Sequence, residues 1–328
     1  MKKTLVALAV LAASGAALAQ SSVTLYGTAD AGVGKYHKDK VRMATNTFVN
    51  TSESFLGFRG TEDLGGGLKA GFQFEQNINL RDGATDVTSN WATKTVYQRA
   101  ANLWLGGNWG TLRLGRANAP SRSAVAAWDL AGWDINSNVV TSLFGGTARN
   151  SSQISYKTPD FGGFAAELGY VLKADNGDRS KVDLGLTYVN GPLSAGVAYS
   201  KEKNLKASYS VGAQYRFGMF ALAAGYLRAE NGIYRDDTTG VAIPGAVGRA
   251  RGFTLGGKVN FGAASLRVDV ARDTKADYDL NGVNYKGKKR TNGLVEGRYA
   301  FSKRTFVYAN YVRYDSGNNY GVGMRHDF

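Results

Sequence analysis

The residues that could act on a solute are cations spaced along strand-like segments of the chain. Arg59, Lys69, Arg113 and Arg149 each stand opposite apolar neighbours where polar and apolar residues alternate. Because successive side chains of a strand point to opposite faces, these four share the polar face. Arg99 is ambiguous, since neither parity of its segment RAANLWL is cleanly apolar and a bulge could shift it. Either the set attracts small anions, or these are ordinary charges on a solvated wall.

Charge of the opposite sign lies in one long connection, residues 117–148. It holds Asp129 and Asp134 beside Trp128 and Trp133. About thirty residues is far beyond a hairpin loop, and loops of that length are usually functional or disordered. The two tryptophans and a block of small apolar residues argue against disorder. If the connection folds into a channel, its acids face the arginines across a field that sorts solutes by charge and size. The alternative is an exposed flap over a surface pocket.

Residues for catalysis or metal binding are nearly absent from the sequence. The histidines are His37 and His326, neither flanked by a serine motif, and there is no cysteine. Zinc sites need clustered His, Cys or carboxylate ligands, so we predict no metal and no cofactor. The glycine-rich run DLGGG at 63–67 is followed by a strand and not a helix, which makes it a turn and not a phosphate loop. We predict that the chain is not an enzyme.

The first residues have the pattern of a secretory signal peptide. A basic Lys2-Lys3 pair precedes a short apolar core at 4–13, and ALA at 17–19 fits small-x-small cleavage. We predict a signal peptide at 1–19 and a mature start at Gln20. The formal charge of +14 then becomes +12, because two lysines leave. An exported basic protein is not expected to meet nucleic acid, so its field acts on small anions or anionic lipid headgroups.

After the signal, alternation of period two runs along nearly the whole chain. It predicts strands with one apolar and one polar face, and a soluble β-sandwich gives the same pattern. The connections distinguish a membrane barrel from a soluble sandwich, because short turns alternate with longer polar segments as in an up-and-down membrane barrel. Short turns fall at 63–67, 106–110, 159–163, 190–193, 217–219, 261–263 and 301–304. Longer connections fall near 35–51, 79–92, 117–148, 173–180, 230–248 and 273–289, with shorter breaks near 202–205 and 315–317.

Seven short and eight other connections predict sixteen strands. Strands of about ten residues match a tilted crossing of the hydrocarbon layer. In lipid such a sheet must close, since every edge group has to be paired. A barrel of that size is too wide to be filled by side chains and leaves an aqueous channel. We therefore predict an all-β fold: a 16-stranded antiparallel transmembrane β-barrel that forms one domain over 20–328.

Five motifs in this order resemble the Gram-negative general porins, especially the trimeric porins of β-proteobacteria. They are VTLYG at 23–27, LGFRGTEDLG at 56–65, LGR at 114–116, YKTPDFGG at 156–163 and VGMRHDF at 322–328. The resemblance implies a sixteen-stranded barrel, a homotrimer and an inward-folded third extracellular loop, 117–148, that forms the constriction. Arg99 and Arg149 look matched to the family's basic wall cluster.

The resemblance has two further implications, one for the last residues of the chain and one for the basic wall cluster. Phe328, with Tyr320, Val322 and Met324 on its parity, looks like the family's assembly signal for barrel insertion, and His326 is the polar break in that row. Many relatives carry a basic residue just before LGF, where this chain has Phe55, and some carry Lys where it has Thr28. These departures imply a thinner basic cluster and a weaker anion selectivity.

We predict a passive, water-filled diffusion pore of the Gram-negative outer membrane for small hydrophilic solutes and ions, with mild anion preference. Its expected partners are outer-membrane lipid and lipopolysaccharide, the barrel-assembly machinery and two further copies of the chain. A solute-specific channel of the same architecture is one alternative and differs by saturable conductance. A secreted, soluble glycan-binding β-protein is another and differs by soluble expression without detergent.

Overall fold

A computed structural model describes residues 22–36, 40–47, 49–85, 96–132, 134, 140, 148–235, 242–314 and 317–328. The predicted signal peptide at 1–19, His37 and Trp133 lie outside the described residues. Among the described residues, no helix is both long and apolar enough to cross a membrane.

The chain forms one closed antiparallel sheet, because β1 pairs with β3 on one side and with β18 on the other. Among the described residues eighteen strand segments build it. Of these, β2 and β15 are short and each pairs with one neighbour, so that sixteen strands make the barrel. The predicted 16-stranded antiparallel barrel is confirmed. The strands are β1 Ser22–Lys35, β2 Arg42–Ala44, β3 Phe55–Gly65, β4 Leu68–Asn77, β5 Ala100–Gly107, β6 Gly110–Asn118, β7 Arg149–Lys157, β8 Phe164–Val171, β9 Lys181–Asn190, β10 Leu193–Glu202, β11 Ser208–Phe217, β12 Phe220–Arg235, β13 Ala242–Phe261, β14 Ala264–Leu280, β15 Val283–Lys286, β16 Thr291–Ala300, β17 Thr305–Tyr314 and β18 Gly317–Asp327.

The two faces of the sheet are reversed relative to a water-soluble protein. Apolar side chains point outward and are exposed; Val23 is 67%, Leu103 62% and Leu255 61% exposed. Inward polar residues such as Asp30 and Gln153 are buried. Alternate residues therefore meet lipid on one side and the lumen on the other, as in transmembrane barrels. A soluble glycan-binding sandwich does not fit this arrangement.

Exposed aromatic side chains form two bands on the outer face, as expected where a barrel crosses the two membrane interfaces. One band lies near the short turns and the other near the longer connections. The first includes Trp109, Tyr156, Phe161, Phe164, Tyr215, Phe217, Phe220, Phe261, Tyr299 and Phe301; the second includes Tyr97, Tyr170, Tyr209, Phe253, Tyr311 and Tyr320.

Three of the longer connections contain more strand than predicted. β12 and β13 stay paired up to Arg235 opposite Ala242, inside the predicted connection 230–248. β14 continues to Leu280 and forms a hairpin with β15 inside 273–289, and β2 lies inside 35–51. Beyond the membrane both faces of a strand meet water, so the apolar alternation that marks the spanning part disappears while the backbone pairing continues.

Candidate functional site: a charged constriction inside the barrel

The long connection begins with a helix, α1, Pro120–Trp128, which the alternation pattern did not predict. Pro120 occupies the first turn, where its missing N–H removes no hydrogen bond, and an alanine-rich stretch follows. The backbone N–H of Ser121 donates to Oδ1 of Asp183 on β9 at 2.6 Å. A carboxylate at this place satisfies an open donor and faces the positive end of the helix dipole, so it fixes the helix to the wall.

The helix lies on a row of glycines on the inner wall. Gly196, Gly212 and Gly225 face one another on β10, β11 and β12. A Cβ at Gly196 would collide with the carbonyl oxygen of Ala124, and one at Gly212 or Gly225 would collide with the Trp128 ring. The missing side chains leave a shallow track, and Trp128, 1% exposed, fills it. The Trp128 ring therefore contacts the wall and not the water of the lumen.

The rest of the apolar contact is also inside the lumen. Val140, further along the connection, belongs to the same buried cluster as Trp128 and the inward residues Leu227, Leu294 and Val312 of three wall strands. A closed barrel of this width has no core of its own, so the apolar core forms between the connection and the wall. The predicted inward folding is confirmed by these contacts.

Three arginines gather where the connection leaves β6. Arg99 contacts Glu53 through Nη1 and holds Oε2 of Glu75 with Nε at 3.3 Å, while Nη2 of Arg149 lies 3.7 Å from the same Glu53 oxygen. Arg122 of α1 is within electrostatic range of Arg99, Arg149 and both glutamates. We call this set, three cations against two anions, the arginine cluster.

Arg122 is a member of the arginine cluster that sequence reasoning missed. On α1 the residues Ser121, Ala124, Val125 and Trp128 are buried against the wall, whereas Arg122 is half-buried on the other side. Burial, with the positive charge of Arg99, lowers the pKa of the Arg122 guanidinium. A helix was needed to find it, because only the helical period separates a wall-facing from a lumen-facing side.

Arg99 points inward because of a bend and not because of strand parity. It precedes β5, and its backbone N–H donates to the carbonyl oxygen of Glu75 at 3.2 Å. Its guanidinium lies 4.3 Å from the centroid of the Phe55 ring. Phe55 thus supports Arg99 as a cation–π partner.

Glu53 is placed by residues 49–54, which begin inside the predicted connection 35–51. Residues 49–54 fold against the inner wall, and Asn50, Thr51 and Ser54 are 0% exposed. The buried carboxylate of Asp30 on β1 accepts five hydrogen bonds there: from the Asn50 side chain, from Thr51 backbone and hydroxyl, from the Ser52 backbone and from the Tyr308 hydroxyl. A buried carboxylate is stable only when it is saturated in this way. Asp30 therefore fixes the segment that carries the counter-charge.

The far part of the connection reaches a second set of charges. Asp134 accepts a hydrogen bond at 2.9 Å from Nη1 of Arg325 on β18, and Asp129, 3% exposed, is within electrostatic range of the buried Arg267 on β14. Burial raises the pKa of the Asp134 carboxyl, and the positive charge of Arg325 opposes that shift. The surrounding wall adds Lys258, Asp269, Glu296, Arg298 and Asp327. The two loop acids thus face this mixed wall set.

Arg59, Lys69 and Arg113 lie on the inner face, as alternation indicated, but not in the arginine cluster. Arg59 covers the Tyr26 ring, with 4.8 Å between its guanidinium carbon and the ring centroid. Lys69 is the second residue of β4, beside a short turn, and Arg113 is opposite Ser155 of β7. Their part in the constriction stays a prediction.

Phe328 closes the seam of the barrel. Its backbone N–H and C=O each exchange a 3.0 Å hydrogen bond with Gly27 on β1, and its ring occupies the space that a side chain on Gly27 would need. The predicted outward row of Tyr320, Val322 and Met324 is exposed. His326 holds the Thr305 hydroxyl at 2.9 Å.

A closed sixteen-stranded barrel with an apolar exterior, narrowed by an inward loop lined with charge, defines the class of outer-membrane channels. Comparison with known proteins agrees. A model of the Gram-negative porin family matches residues 4–319, and the chain belongs to that family. Because porins are non-enzymatic channels, the prediction that the chain is not an enzyme is confirmed, as are the predicted outer-membrane location and porin function.

Two relatives show the extent of the similarity. Outer membrane porin protein 32 of Delftia acidovorans is 34% identical over 342 residues, which covers 94% of this chain and 88% of the relative. Major outer membrane protein P.IB of Neisseria meningitidis is 30% identical over the whole of both chains.

Solved structures agree with the fold. An anion-selective porin from Comamonas acidovorans superposes with a TM-score of 0.69 at 26% identity, covering 94% of this chain and all of that one. The OmpF porin of Salmonella typhi has a TM-score of 0.68 at 18% identity over 93% of this chain and 97% of that chain, which shows the shared fold alone.

Proposed function

We propose that this porin is a passive, water-filled diffusion channel for small hydrophilic solutes and ions, with mild anion preference. The observation that carries the proposal is the arginine cluster, which sets three cations against two anions at the entry of the inward loop. A unit charge within about 8 Å of a permeating ion is only partly screened at physiological ionic strength, so charges beside a narrow pore act on that ion. The similarity to a porin described as anion-selective supports the same sign.

The preference is mild because the second set of charges has no cationic excess. Lys258, Arg267, Arg298 and Arg325 are accompanied by five acids, Asp129, Asp134, Asp269, Glu296 and Asp327. An ion therefore passes one region with net positive charge and another that is close to balanced, and both anions and cations can cross.

Reversal potentials in planar bilayers test the proposal directly. With a KCl gradient across the membrane, we expect a potential of the sign produced by excess chloride permeation, and conductance that rises linearly with salt. A clear cation preference would contradict the anion assignment. Conductance that saturates with one added solute would contradict general diffusion and favour a solute-specific channel.

The assembled protein is part of the same proposal. The chain is exported with cleavage after Ala19, inserted by the barrel-assembly machinery through a signal ending at Phe328, and forms a homotrimer in contact with outer-membrane lipid and lipopolysaccharide. Intact mass of the protein from isolated outer membranes tests the cleavage site, and a mature start other than Gln20 would contradict it. Unheated gel electrophoresis tests the trimer, which must collapse to one monomer band on heating.

A further inference from the structure

The inner wall near the short turns carries an indole ring that lies flat against the strands. Trp104 of β5 stands between the outward Leu103 and Leu105, so its side chain points inward. A Cβ at Gly71 would lie 2.5 Å from Cζ2 and 2.6 Å from Cε2 of the Trp104 ring, and one at Gly106 would lie 3.6 Å from Cζ3. Because two glycines lie beneath one ring, one face of the indole rests on the wall and the other faces the lumen.

Trp104 differs in one respect from Tyr26 and Phe55, two other inward rings of this part of the wall. The Tyr26 ring is covered by the guanidinium of Arg59, 4.8 Å from the ring centroid, and the Phe55 ring by that of Arg99 at 4.3 Å. Among the described residues, neither a second ring nor a cation stacks on Trp104. Its lumen face can therefore receive the ring of a passing solute.

Arg113 of β6, directly opposite Trp104, adds a positive charge that no acid compensates. Within the part of the chain that the structure describes, its buried Nε has no hydrogen-bond partner and its guanidinium forms no ion pair. The carboxylate of Glu167 on β8 instead accepts a hydrogen bond at 3.2 Å from the hydroxyl of Ser155, the residue opposite Arg113 on β7. An arginine without a counter-charge binds a carboxylate well, because its planar fork matches the two oxygens.

The spacing of the indole and the guanidinium suits one small molecule. The Trp104 ring lies over Gly71 of β4, which is the neighbour of β5 on the side away from β6 and Arg113. Neighbouring strands are about 4.8 Å apart. A solute whose ring lies on the indole can therefore reach Arg113 with an acidic group attached to that ring.

We propose that Trp104 and Arg113 form a weak binding site for small aromatic carboxylates on the lumen wall, which we call the ring site. The inference rests on the proposed diffusion function and adds one solute class to it. Trp104 is near the turn between β5 and β6, whereas Arg99 of the arginine cluster precedes the other end of β5. Short turns of outer-membrane barrels are periplasmic, so a solute meets the ring site after the constriction. The barrel is wide there, and a molecule bound on one wall leaves room for others to pass.

The test titrates sodium benzoate against the folded, full-length porin in detergent and measures binding by saturation-transfer NMR. Trp104→Leu keeps an apolar side chain but removes the aromatic face, and we expect benzoate to bind about twofold to tenfold more weakly. The matched control is Trp109→Leu, because Trp109 belongs to the outer aromatic band and stacks on Tyr156 there. Cyclohexanecarboxylate has the same charge without the aromatic ring. We expect it to bind the wild type more weakly than benzoate does, and Trp104→Leu no differently from the wild type.

A second variant removes the charge and leaves the indole in place. Arg113→Gln should weaken benzoate binding about twofold to fivefold, whereas Arg179→Gln, which removes an exposed arginine outside the lumen, leaves it unchanged. Neutral benzyl alcohol should bind the wild type and Arg113→Gln alike. Heat-modifiable mobility on a gel shows that each variant is folded.

Two results overturn the ring site. One is wild-type benzoate affinity in both Trp104→Leu and Arg113→Gln. The other is equal binding of benzoate and cyclohexanecarboxylate to the wild type, because the wall would then bind any small anion. Either result leaves the diffusion function intact as long as the wild type conducts KCl in planar bilayers. A wild type that does not conduct would instead contradict the channel function itself.

Discussion

The carboxylate of Asp134 accepts a hydrogen bond from Nη1 of Arg325 at 2.9 Å, although 191 residues separate the two in sequence. This contact ties the far part of the long connection to the last strand, while Trp128 holds the helix against β10, β11 and β12. A loop fastened at two places across a lumen is a fixed constriction and not an exposed flap. Its charges can therefore act at constant positions on each passing ion.

Acidification increases anion preference through Asp134. Burial raises the pKa of this carboxyl above the ordinary 3.8, so it is protonated at a higher pH than an exposed aspartate. Protonation removes a negative charge and leaves Arg325 paired with Asp327 alone of its two carboxylate partners, which makes the lumen more positive as the pH falls. We expect the chloride reversal potential to grow from pH 7 towards pH 4 in the wild type. In Asp134→Asn that response is smaller, whereas the exposed-loop variant Asp178→Asn responds like the wild type. Identical profiles for Asp134→Asn and the wild type would contradict the assignment.

Arg122 and Glu53 change selectivity in opposite directions. In water, a unit charge about 8 Å from a permeating ion shifts its energy by about 0.5 kcal/mol, which is roughly a twofold change in permeability ratio. We therefore expect Arg122→Gln to lower the chloride-to-potassium ratio about twofold and Glu53→Gln to raise it about twofold. Arg149→Gln lowers it as well.

The control for this pair is Arg179→Gln, which removes an exposed arginine outside the lumen and leaves the ratio unchanged. Reversal potentials measured at low and at high salt check the mechanism, because screening reduces each shift as ionic strength rises. Shifts of the same sign for Arg122→Gln and Glu53→Gln would show that the arginine cluster does not act through its charge.

The variant Asp30→Ala distinguishes the effect of where Glu53 is held from the effect of its charge. The variant removes a fully buried acceptor of five hydrogen bonds, so residues 49–54 lose their attachment to β1. Leaving several buried donors unpaired costs about 3 kcal/mol or more. We expect a lower heat-modifiability temperature together with a raised chloride preference. Glu53→Gln gives the raised preference at unchanged temperature, and Asp30→Ala with wild-type values of both would contradict the role given to Asp30.

The barrel could be predicted from sequence because the features that define it lie within short stretches of the chain. Alternation and turn lengths are read residue by residue, and they correctly predict the strand number and the outward faces, whereas the inward loop was predicted from the resemblance to a family. The ends of β12 and β14 could not be found, since strand pairing outside the membrane leaves no apolar row in the sequence. Arg149 was predicted through parity and motif, whereas the prediction of Arg99 needed the motif because a backbone bend turns its side chain inward.

The site residues that the sequence did not predict are those whose positions depend on tertiary contacts. Arg122 faces the lumen only because α1 is a helix whose other side lies on the glycine row, and Glu53 only because Asp30 holds residues 49–54 inside. Neither of these two contacts can be predicted from a single stretch of sequence. One signal was available: Gly196, Gly212 and Gly225 are inward glycines on three consecutive strands, and such a row indicates that something packs closely on it.

Gly212→Ala tests whether the glycine row holds the constriction in place. The added Cβ collides with the Trp128 ring, and overpacking of this kind costs about 1–3 kcal/mol, so the undocked fraction of α1 rises about five- to hundredfold. We expect faster cleavage of the folded porin within 117–148 by added protease, and larger, noisier single-channel currents. Gly297→Ala is the matched control, because its Cβ meets open space on the outer face of the barrel. Equal protease resistance and equal currents for both variants would mean that α1 is held by its ends alone, at Asp183 and Asp134, and that the close contact of Trp128 with the wall contributes little to the constriction.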